Sequence, residues 1–118
     1  MYQSLKIQTT SFGLITINGR QYTSDLVIYP DGLVEDTWWR KSGHRLSMDD
    51  IEKLVAARPE VIIVGTGVRG MMKPDPGLGG MLSDRAIEMI ALPNPDAIDL
   101  FNSLSSQRKV GACFHLTC

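Results

Sequence analysis

An uninterrupted run of β-branched residues that leads directly into a glycine-rich loop constrains this chain more than any other stretch. Residues 61–64 read Val-Ile-Ile-Val, which is typical of a short strand buried on both faces of a parallel sheet. Glycines follow at positions 65, 67 and 70 and spell Gly-x-Gly-x-x-Gly. Glycine allows a backbone to approach a neighbour closely. The stretch therefore predicts a central strand that ends either in a ligand site or in a tight turn.

The first 40 residues predict an antiparallel meander. Strand-forming segments lie at 12–17, 21–23, 26–29 and 33–39. The first two are separated by Asn18-Gly19, which favours a two-residue hairpin because both residues tolerate positive φ. Pro30-Asp31-Gly32 forms a second turn signal between later segments.

The second half of the chain alternates between helical and strand-like patterns. The predicted elements are a helix from Ser47 to about Arg58, strands at 61–65 and 86–92, a helix from Asn94 to about 105, and a strand at 109–116. Ser47 begins a capping box, and Asn94 is predicted as an N-cap followed by proline. Such alternation favours parallel strands joined by right-handed crossovers. We therefore predict one α/β domain over residues 1–118, with a mixed sheet and an N-terminal antiparallel meander.

Composition excludes several classes of function. The formal net charge of −1 supplies no field to attract nucleic acid or an anionic membrane. No apolar run approaches the roughly 20 residues that span a bilayer, and residues 1–6 lack the pattern of a signal peptide. Cys113 and Cys118 are too few for a disulfide framework. We expect a cytoplasmic protein with reduced thiols that binds neither nucleic acid nor membrane.

Two adjacent tryptophans close the predicted strand 33–39. Successive strand residues point to opposite faces, so we expect one of Trp38 and Trp39 to pack on the core. The other indole would be covered by a helix or loop, or exposed as an anchor for a partner. The basic segment 40–45, which contains His44, is predicted to be a solvated surface loop.

The glycine loop is only a partial match to a dinucleotide site. Such a site needs a helix that begins at the glycines, but Pro74 and Pro76 interrupt the segment that follows. A smaller anion site remains open, formed by the N–H groups of residues 66–70 with Arg69 and Lys73. The alternative is a tight turn at the end of a central strand. That end of an open α/β sheet is where ligands usually bind.

The C-terminal residues Cys113 and His115 share one face of the predicted last strand. They could contact one metal ion together with His44 or Cys118, or form a nucleophile–base pair. No ligand spacing supports a metal site, and ordinary packing is the favoured interpretation. We predict no metal, no cofactor and no catalytic residue.

The chain also resembles a small family of uncharacterised single-domain proteins. The resemblance covers nearly the whole chain and rests on the order of these stretches: Phe12-Gly13, Tyr22 to Asp25, 28–32, Trp39-Arg40, Gly43-His44, 64–67, Gly70-Met71, 92–93, Asp96-Ala97, Phe101-Asn102 and 115–118. The family includes the adipogenesis-associated domain protein and the mitochondrial complex I assembly factor three. The resemblance implies a three-layer α/β fold with helices packed on a mixed central sheet. It implies roles in assembly or differentiation and no established enzyme activity.

Together these observations predict a non-enzymatic binding or assembly-type protein that acts through the loop 65–72 and the surface beside it. The candidate binding residues are Gly65, Thr66, Gly67, Arg69, Gly70, Lys73, Trp39 and His44. The alternative is a domain, or an enzyme, that binds a small anionic ligand or nucleotide through this loop with Arg69 and Lys73. We expect an unknown protein partner, and a monomer or small homo-oligomer.

Overall fold

The computed structural model describes residues 5–118, so residues 1–4 of the stretch considered for a signal peptide lie outside the described residues. The strands are β1 (Ile7–Ser11), β2 (Leu14–Ile17), β3 (Arg20–Tyr22), β4 (Leu26–Ile28), β5 (Val34–Glu35), β6 (Arg45–Leu46), β7 (Val61–Gly65), β8 (Lys73–Pro74), β9 (Glu88–Leu92) and β10 (Val110–Phe114). The helices are a 3₁₀ helix (Met48–Ile51), α1 (Glu52–Ala56), α2 (Leu78–Ser83) and α3 (Asn94–Leu104). Within these residues, no helix combines the length and apolar character needed to cross a membrane.

A five-stranded mixed sheet lies at the centre, with strand order β5-β4-β10-β7-β9. β7 pairs in parallel with β10 and β9, and β4 pairs antiparallel with β10 and β5. β1, β2 and β3 form a separate antiparallel sheet, while β6 and β8 form a short parallel pair. The predicted mixed sheet with an antiparallel N-terminal part is confirmed, and the meander is divided between two sheets.

Both faces of the central sheet are covered, which produces three layers. All five residues of β7 are buried, as its β-branched composition predicts. Val61 and Ile63 face a core formed with the three-stranded sheet and α3. Ile62 and Val64 face a second core formed with α1, α2 and β6. The alternation of side chains along one strand therefore supplies both cores.

Several predicted boundaries are wrong. The strand predicted at 33–39 is reduced to Val34–Glu35, so the interpretation that placed Trp38 and Trp39 on a strand fails. The indole N–H of Trp38 donates to the carbonyl of Asp50 at 2.8 Å, outside the sheet. α3 begins at Asn94 with Pro93 as its N-cap, so the Asn94 side chain is not the predicted cap.

Candidate functional site

The carboxyl ends of β7, β9 and β10 lie beside the amino end of β4, at one end of the central sheet. Phe114, the last residue of β10, lies opposite both Gly65 of β7 and Leu26 of β4. Because β4 runs antiparallel to β10, the residue that precedes it, Asp25, lies beside His115, which follows β10. The topology thus places polar residues that are distant in sequence at the end of the sheet that commonly carries ligand sites.

A buried polar cluster of Asp25, Arg40 and His115 occupies this end. Asp25 Oδ2 accepts from Arg40 Nη1 at 2.8 Å and lies 2.8 Å from His115 Nδ1. Asp25 Oδ1 accepts the backbone N–H of Leu116 at 2.8 Å. The side chains of Arg40, His115 and Asp25 are only 5%, 8% and 21% exposed. The prediction that the basic loop is merely solvated surface is therefore wrong for Arg40, which is a central member of this cluster.

Two further contacts hold the Arg40 guanidinium in place. Nη2 donates to the carbonyl of Gly43 at 2.9 Å, and the guanidinium carbon lies 4.5 Å from the centroid of the Trp38 ring. Stacking of this kind is attractive because the ring face is electron-rich. Among the described residues, the buried Nε of Arg40 has no hydrogen-bond partner, so this guanidinium is not fully satisfied.

The contacts of His115 favour one tautomer. Nδ1 lies 2.8 Å from Asp25 Oδ2 and 3.0 Å from Arg40 Nη2, and it cannot donate to the first while accepting from the second. We assign the proton to Nδ1, because a lone pair there would face a carboxylate while Arg40 Nη2 already has an acceptor. Nε2 then accepts from the hydroxyl of Thr117, 3.3 Å away.

An aspartate-oriented imidazole that faces a hydroxyl is the geometry of a general base. Acyl transfer also needs N–H donors aimed at the developing oxyanion. The N–H groups of residues 66–73 at this end of the sheet all donate to other groups of the chain. The hydrogen bonds of Asp25, His115 and Thr117 link the start of β4 to the segment that follows β10.

The electrostatics of the cluster follow from this geometry. Burial acts to raise the pKa of Asp25, but hydrogen bonds from His115, the Leu116 N–H and Arg40 outweigh it and hold that pKa below its ordinary value of 3.8. Burial raises the pKa of Cys113 to about 12, so this thiol stays protonated and is a poor nucleophile. Among residues 5–118, no group of three or more His, Cys, Asp or Glu side chains could hold a metal ion.

The backbone of the glycine loop is satisfied by the chain itself. The N–H donors and their acceptors are Thr66 to Leu92 O, Gly67 to Asn94 Oδ1, Val68 to Thr117 O, Arg69 and Met71 to Cys118 O, Gly70 to Gly67 O, Met72 to Thr66 O, and Lys73 to His44 O. No N–H of residues 66–73 is therefore left for an anion in this part of the structure. An anion at this loop would depend on the side chains of Arg69 and Lys73.

Gly67 is required because residues 115–118 pack directly against it. Its φ is +110°, and a Cβ built there would lie 2.3 Å from the carbonyl carbon of Cys118. The close backbone approach that the sequence predicts is thus an approach to the chain's own C-terminal segment. The fully buried Asn94 side chain reinforces this contact, because it accepts from Gly67 N–H at 3.1 Å and donates to His115 O at 2.7 Å.

The predicted site residues divide into a buried and an exposed group. The buried ones are Gly65, Thr66, Gly67 and Gly70, and the exposed ones are Trp39, His44, Arg69 and Lys73. His44 packs edge-on against His115, with ring centroids 5.8 Å apart. Trp39 is 74% exposed. Sequence reasoning missed the roles of Asp25, Arg40 and Asn94, since no local motif joins residues that the topology alone brings together.

Comparisons with solved structures show close similarity to proteins without an assigned role. The conserved hypothetical protein PH1505 from Pyrococcus horikoshii OT3 is 31% identical, with a TM-score of 0.82 over 96% of this chain and 99% of that chain. A protein named MT938 is 32% identical, with a TM-score of 0.81 over 98% of this chain and 100% of that chain. A Bordetella pertussis protein described as an Mth938-like domain is 16% identical, with a TM-score of 0.68 over 92% of this chain and 84% of that chain, and shows the fold alone.

A family profile matches almost the whole chain. Residues 7–115 match the protein family of unknown function DUF498/DUF598. This match agrees with the two structural relatives above 30% identity. The chain therefore belongs to the DUF498/DUF598 family, for which no biochemical function is established.

Proposed function

We propose that this chain is a non-enzymatic binding or assembly-type protein whose working surface is the loop 65–72 together with Trp39 and His44. The proposal extends to this chain the roles that the resemblance associates with complex I assembly factor three and the adipogenesis-associated domain protein. It assumes a cytoplasmic protein with reduced Cys113 and Cys118. The observation that carries it is the exposed Trp39, held between anchored neighbours.

The exposure and fixed position of Trp39 suit it to anchor a protein partner. Its side chain is 74% exposed, and tryptophan is enriched among the residues that dominate protein–protein binding. The residue before it, Trp38, is fixed by its hydrogen bond to Asp50, and the residue after it, Arg40, is fixed in the polar cluster. Rigid neighbours reduce the conformational entropy lost when a partner binds.

Two other exposed apolar residues lie beside the C-terminal segment 115–118. Met71 is 49% exposed, and its N–H donates to the carbonyl of Cys118 at 2.9 Å. Phe12 is 64% exposed, and the next residue, Gly13, donates to the carbonyl of Leu116 at 2.8 Å. Phe12 and Met71 thus bring exposed apolar side chains to the neighbourhood of residues 115–118, beside the loop 65–72. Exposed apolar side chains of this kind favour interaction sites where they are contiguous.

The available hydrogen-bond donors favour binding over catalysis. Since every N–H of residues 66–73 is used internally, the loop lacks the preorganised donors on which acyl or phosphoryl transfer depends. Its rigidity serves instead to hold the exposed side chains of Met71 and Arg69.

Affinity capture with matched variants tests this proposal. We expect a specific partner to bind the wild-type chain and to be lost at least about tenfold on Trp39→Ala. The control is Leu33→Ala, because Leu33 is also exposed, at 62%, but precedes β5. A partner that Trp39→Ala retains as well as Leu33→Ala does, or the absence of any specific partner, would overturn the proposal.

A second candidate is the binding of a small anion by exposed cations beside the loop. Within residues 5–118, the side chains of Arg69 and Lys73 make no hydrogen bond or ion pair. The N–H of Lys73 donates to the carbonyl of His44, which places a third titratable side chain nearby. These unpaired charges would attract a phosphate or carboxylate group.

Thermal-shift measurements with phosphate, nucleotides and acyl-CoA test the second candidate. A ligand at 100 times its Kd should stabilise the fold by about 2.7 kcal/mol. The shift should disappear in Arg69→Ala and Lys73→Ala but persist in Arg45→Ala, because Arg45 already pairs with Asp75 at 2.7 Å. A shift that survives both loop variants would contradict this site.

A further inference from the structure

We infer that a second copy of this chain docks along the exposed edge of β9 and extends the central sheet across a two-fold axis. This surface is separate from the Trp39 surface, and the inference does not depend on the proposed function. It begins from hydrogen-bonding groups that the fold leaves unused.

The backbone of β9 alternates between a satisfied and an open side. Glu88 N–H donates to Glu60 O at 3.0 Å, and Leu92 O accepts from Thr66 N–H at 2.9 Å, so both residues direct their main-chain groups toward β7. The two-residue period of a strand places those of Ile90 on the same side. Met89 and Ala91 therefore direct their N–H and C=O groups outward, and no partner for them exists within residues 5–118.

Two other edge strands of the described sheets, β5 and β1, carry features that discourage pairing, which residues 89–92 of β9 lack. β5, the opposite edge of the central sheet, has only two residues, one of which is Glu35. β1 is interrupted by a register shift between Ile7 and Thr9. Residues 89–92 contain no charge, proline or bulge, although these are the usual devices that keep an edge from pairing.

Apolar side chains border this open edge. On β9 itself, Met89, Ile90 and Leu92 are partly exposed and Ala91 is exposed. Met81 of α2, a helix that packs beside β9, is 47% exposed. A partner strand would bury part of this apolar surface in addition to pairing the backbone.

The sequence of β9 suits a second copy of itself. If a two-fold axis passes midway between Ile90 of the two copies, Met89 lies opposite Ala91 of the second copy. The two equivalent Met89–Ala91 pairs then supply four backbone hydrogen bonds. Glu88 then lies opposite Leu92 of the second copy, so no like charges are opposed. Only antiparallel pairing satisfies this symmetry, since the staggered bonds of a parallel pair make the two strands inequivalent.

In this arrangement, equivalent helices of the two copies lie on the same face of the extended sheet. A two-fold axis perpendicular to the sheet does not exchange the two faces of the sheet. The two α2 helices would then flank the junction on one face, each carrying its exposed Met81, and the two α3 helices would flank it on the other.

Sedimentation velocity and light scattering on the full chain test the inference. From about 1 μM to about 1 mM, we expect the mass to rise from 13.0 kDa toward twice that value. Ala91→Lys should weaken association at least about tenfold, because it places like charges across the axis. The control Leu33→Lys, at an exposed position away from β9, should leave association unchanged.

A disulfide test reports the register and does not depend on a charge at Ala91. Opposed residues in a hydrogen-bonded pair have Cα atoms about 5.5 Å apart, within the range that a disulfide bridges. With Cys118→Ser as background, Met89→Cys combined with Ala91→Cys should give a covalent dimer under mild oxidation, and either substitution alone should not. A mass of 13.0 kDa at every concentration, a dimer that Ala91→Lys leaves intact, or no cross-link in the double variant would overturn the inference.

Discussion

The glycine loop 65–72 and the basic loop 40–45 lie at the same end of the central sheet, and their contacts are opposite to what their compositions suggest. The glycine loop has the composition of a ligand cradle, yet its N–H groups donate to the chain itself. The basic loop has the composition of solvated surface, yet Arg40 is almost completely buried in a polar cluster. The two loops lie side by side, because the N–H of Lys73, the residue directly after the glycine loop, donates to His44 O at 2.9 Å.

The difference shows that a loop's composition limits the contacts it can form, while the segments packed against it determine which of those contacts form. Glycines permit close backbone approach, and here the neighbour that approaches is the segment 115–118. A basic run contains several equivalent cations, and topology selects one of them to face Asp25 and His115. The other two cations of the run, Lys41 and Arg45, form ion pairs at the surface with Asp49 and Asp75.

The largest expected loss of stability comes from replacing Arg40, the buried residue of the basic loop. Arg40→Ala should lower the free energy of unfolding by about 3–5 kcal/mol, because it leaves Asp25 and His115 without their buried partner. Lys41→Ala, in the same loop, should cost no more than about 0.5 kcal/mol, since Lys41 and Asp49 form an exposed pair. Urea denaturation monitored by fluorescence measures both values.

A further variant protects this test against failure to fold. Arg40→Lys keeps a cation near Asp25 but removes the planar fork that bonds Gly43 as well, so it should retain part of the stability that Arg40→Ala loses. Equal and small losses for Arg40→Ala and Lys41→Ala would mean that the two residues do not differ, and the contrast between the loops would fail.

The next effect tests whether the glycine loop is shaped by the C-terminal segment. Gly67→Ala should cost about 3 kcal/mol, because it combines a left-handed φ with a clash against Cys118. Gly77→Ala should cost only about 1–2 kcal/mol, since its φ is +86° but no atom lies within 4 Å of the added Cβ.

Hydrogen exchange locates the damage. In Gly67→Ala, the amides of Val68, Arg69 and Met71 should lose protection, because their acceptors lie on residues 117 and 118. Unchanged protection of these amides would show that the loop holds its shape without the C-terminal segment.

The polar cluster also predicts a dependence of stability on acid. The pKa of Asp25 is lower in the folded protein than its ordinary value of 3.8, so the folded state favours the carboxylate. This contribution is fully present above about pH 4 and is lost as the pH falls through the lower pKa of the folded state. Asp25→Asn should remove this part of the pH dependence, whereas Asp49→Asn, at an exposed carboxylate, should not. A wild-type urea midpoint that changes with acid no more than that of Asp25→Asn would contradict the prediction.

The fold was largely predictable because its main signals are local and periodic. The run at 61–64, the Asn18-Gly19 turn and the helix after Pro93 all act through neighbouring residues. The strand predicted at 33–39 failed because Trp38 forms a tertiary bond to Asp50 that no periodicity encodes.

The candidate site was predictable only in its position. The end of β7 indicates where polar residues gather, and the glycines lie there, with His44 packed against His115 nearby. Asp25, Arg40 and Asn94 come from three separate segments. The antiparallel placement of β4 beside β10 brings Asp25 to His115, and the parallel order of β9, β7 and β10 brings Asn94 there. A buried arginine cannot be told from an exposed one by its type alone, because the energy that buries it comes from partners distant in sequence.

The smallest expected effect separates backbone strain from close approach, the two causes combined at Gly67. Ala86 adopts φ +59° after α2, and this is why the strand predicted from residue 86 begins only at Glu88. Ala86 is exposed, so Ala86→Gly removes little packing while it relieves the left-handed strain, and it should stabilise the fold by about 0.5–1 kcal/mol. Ala56→Gly, at an exposed position in α1, should instead destabilise by about 0.5–1 kcal/mol. If Ala86→Gly stabilises and Ala56→Gly destabilises, the gain at Ala86 measures the free-energy cost of a left-handed φ. The larger loss in Gly67→Ala then includes the contact with Cys118 as well as that cost. If both substitutions change stability in the same direction, the two causes at Gly67 cannot be separated in this way.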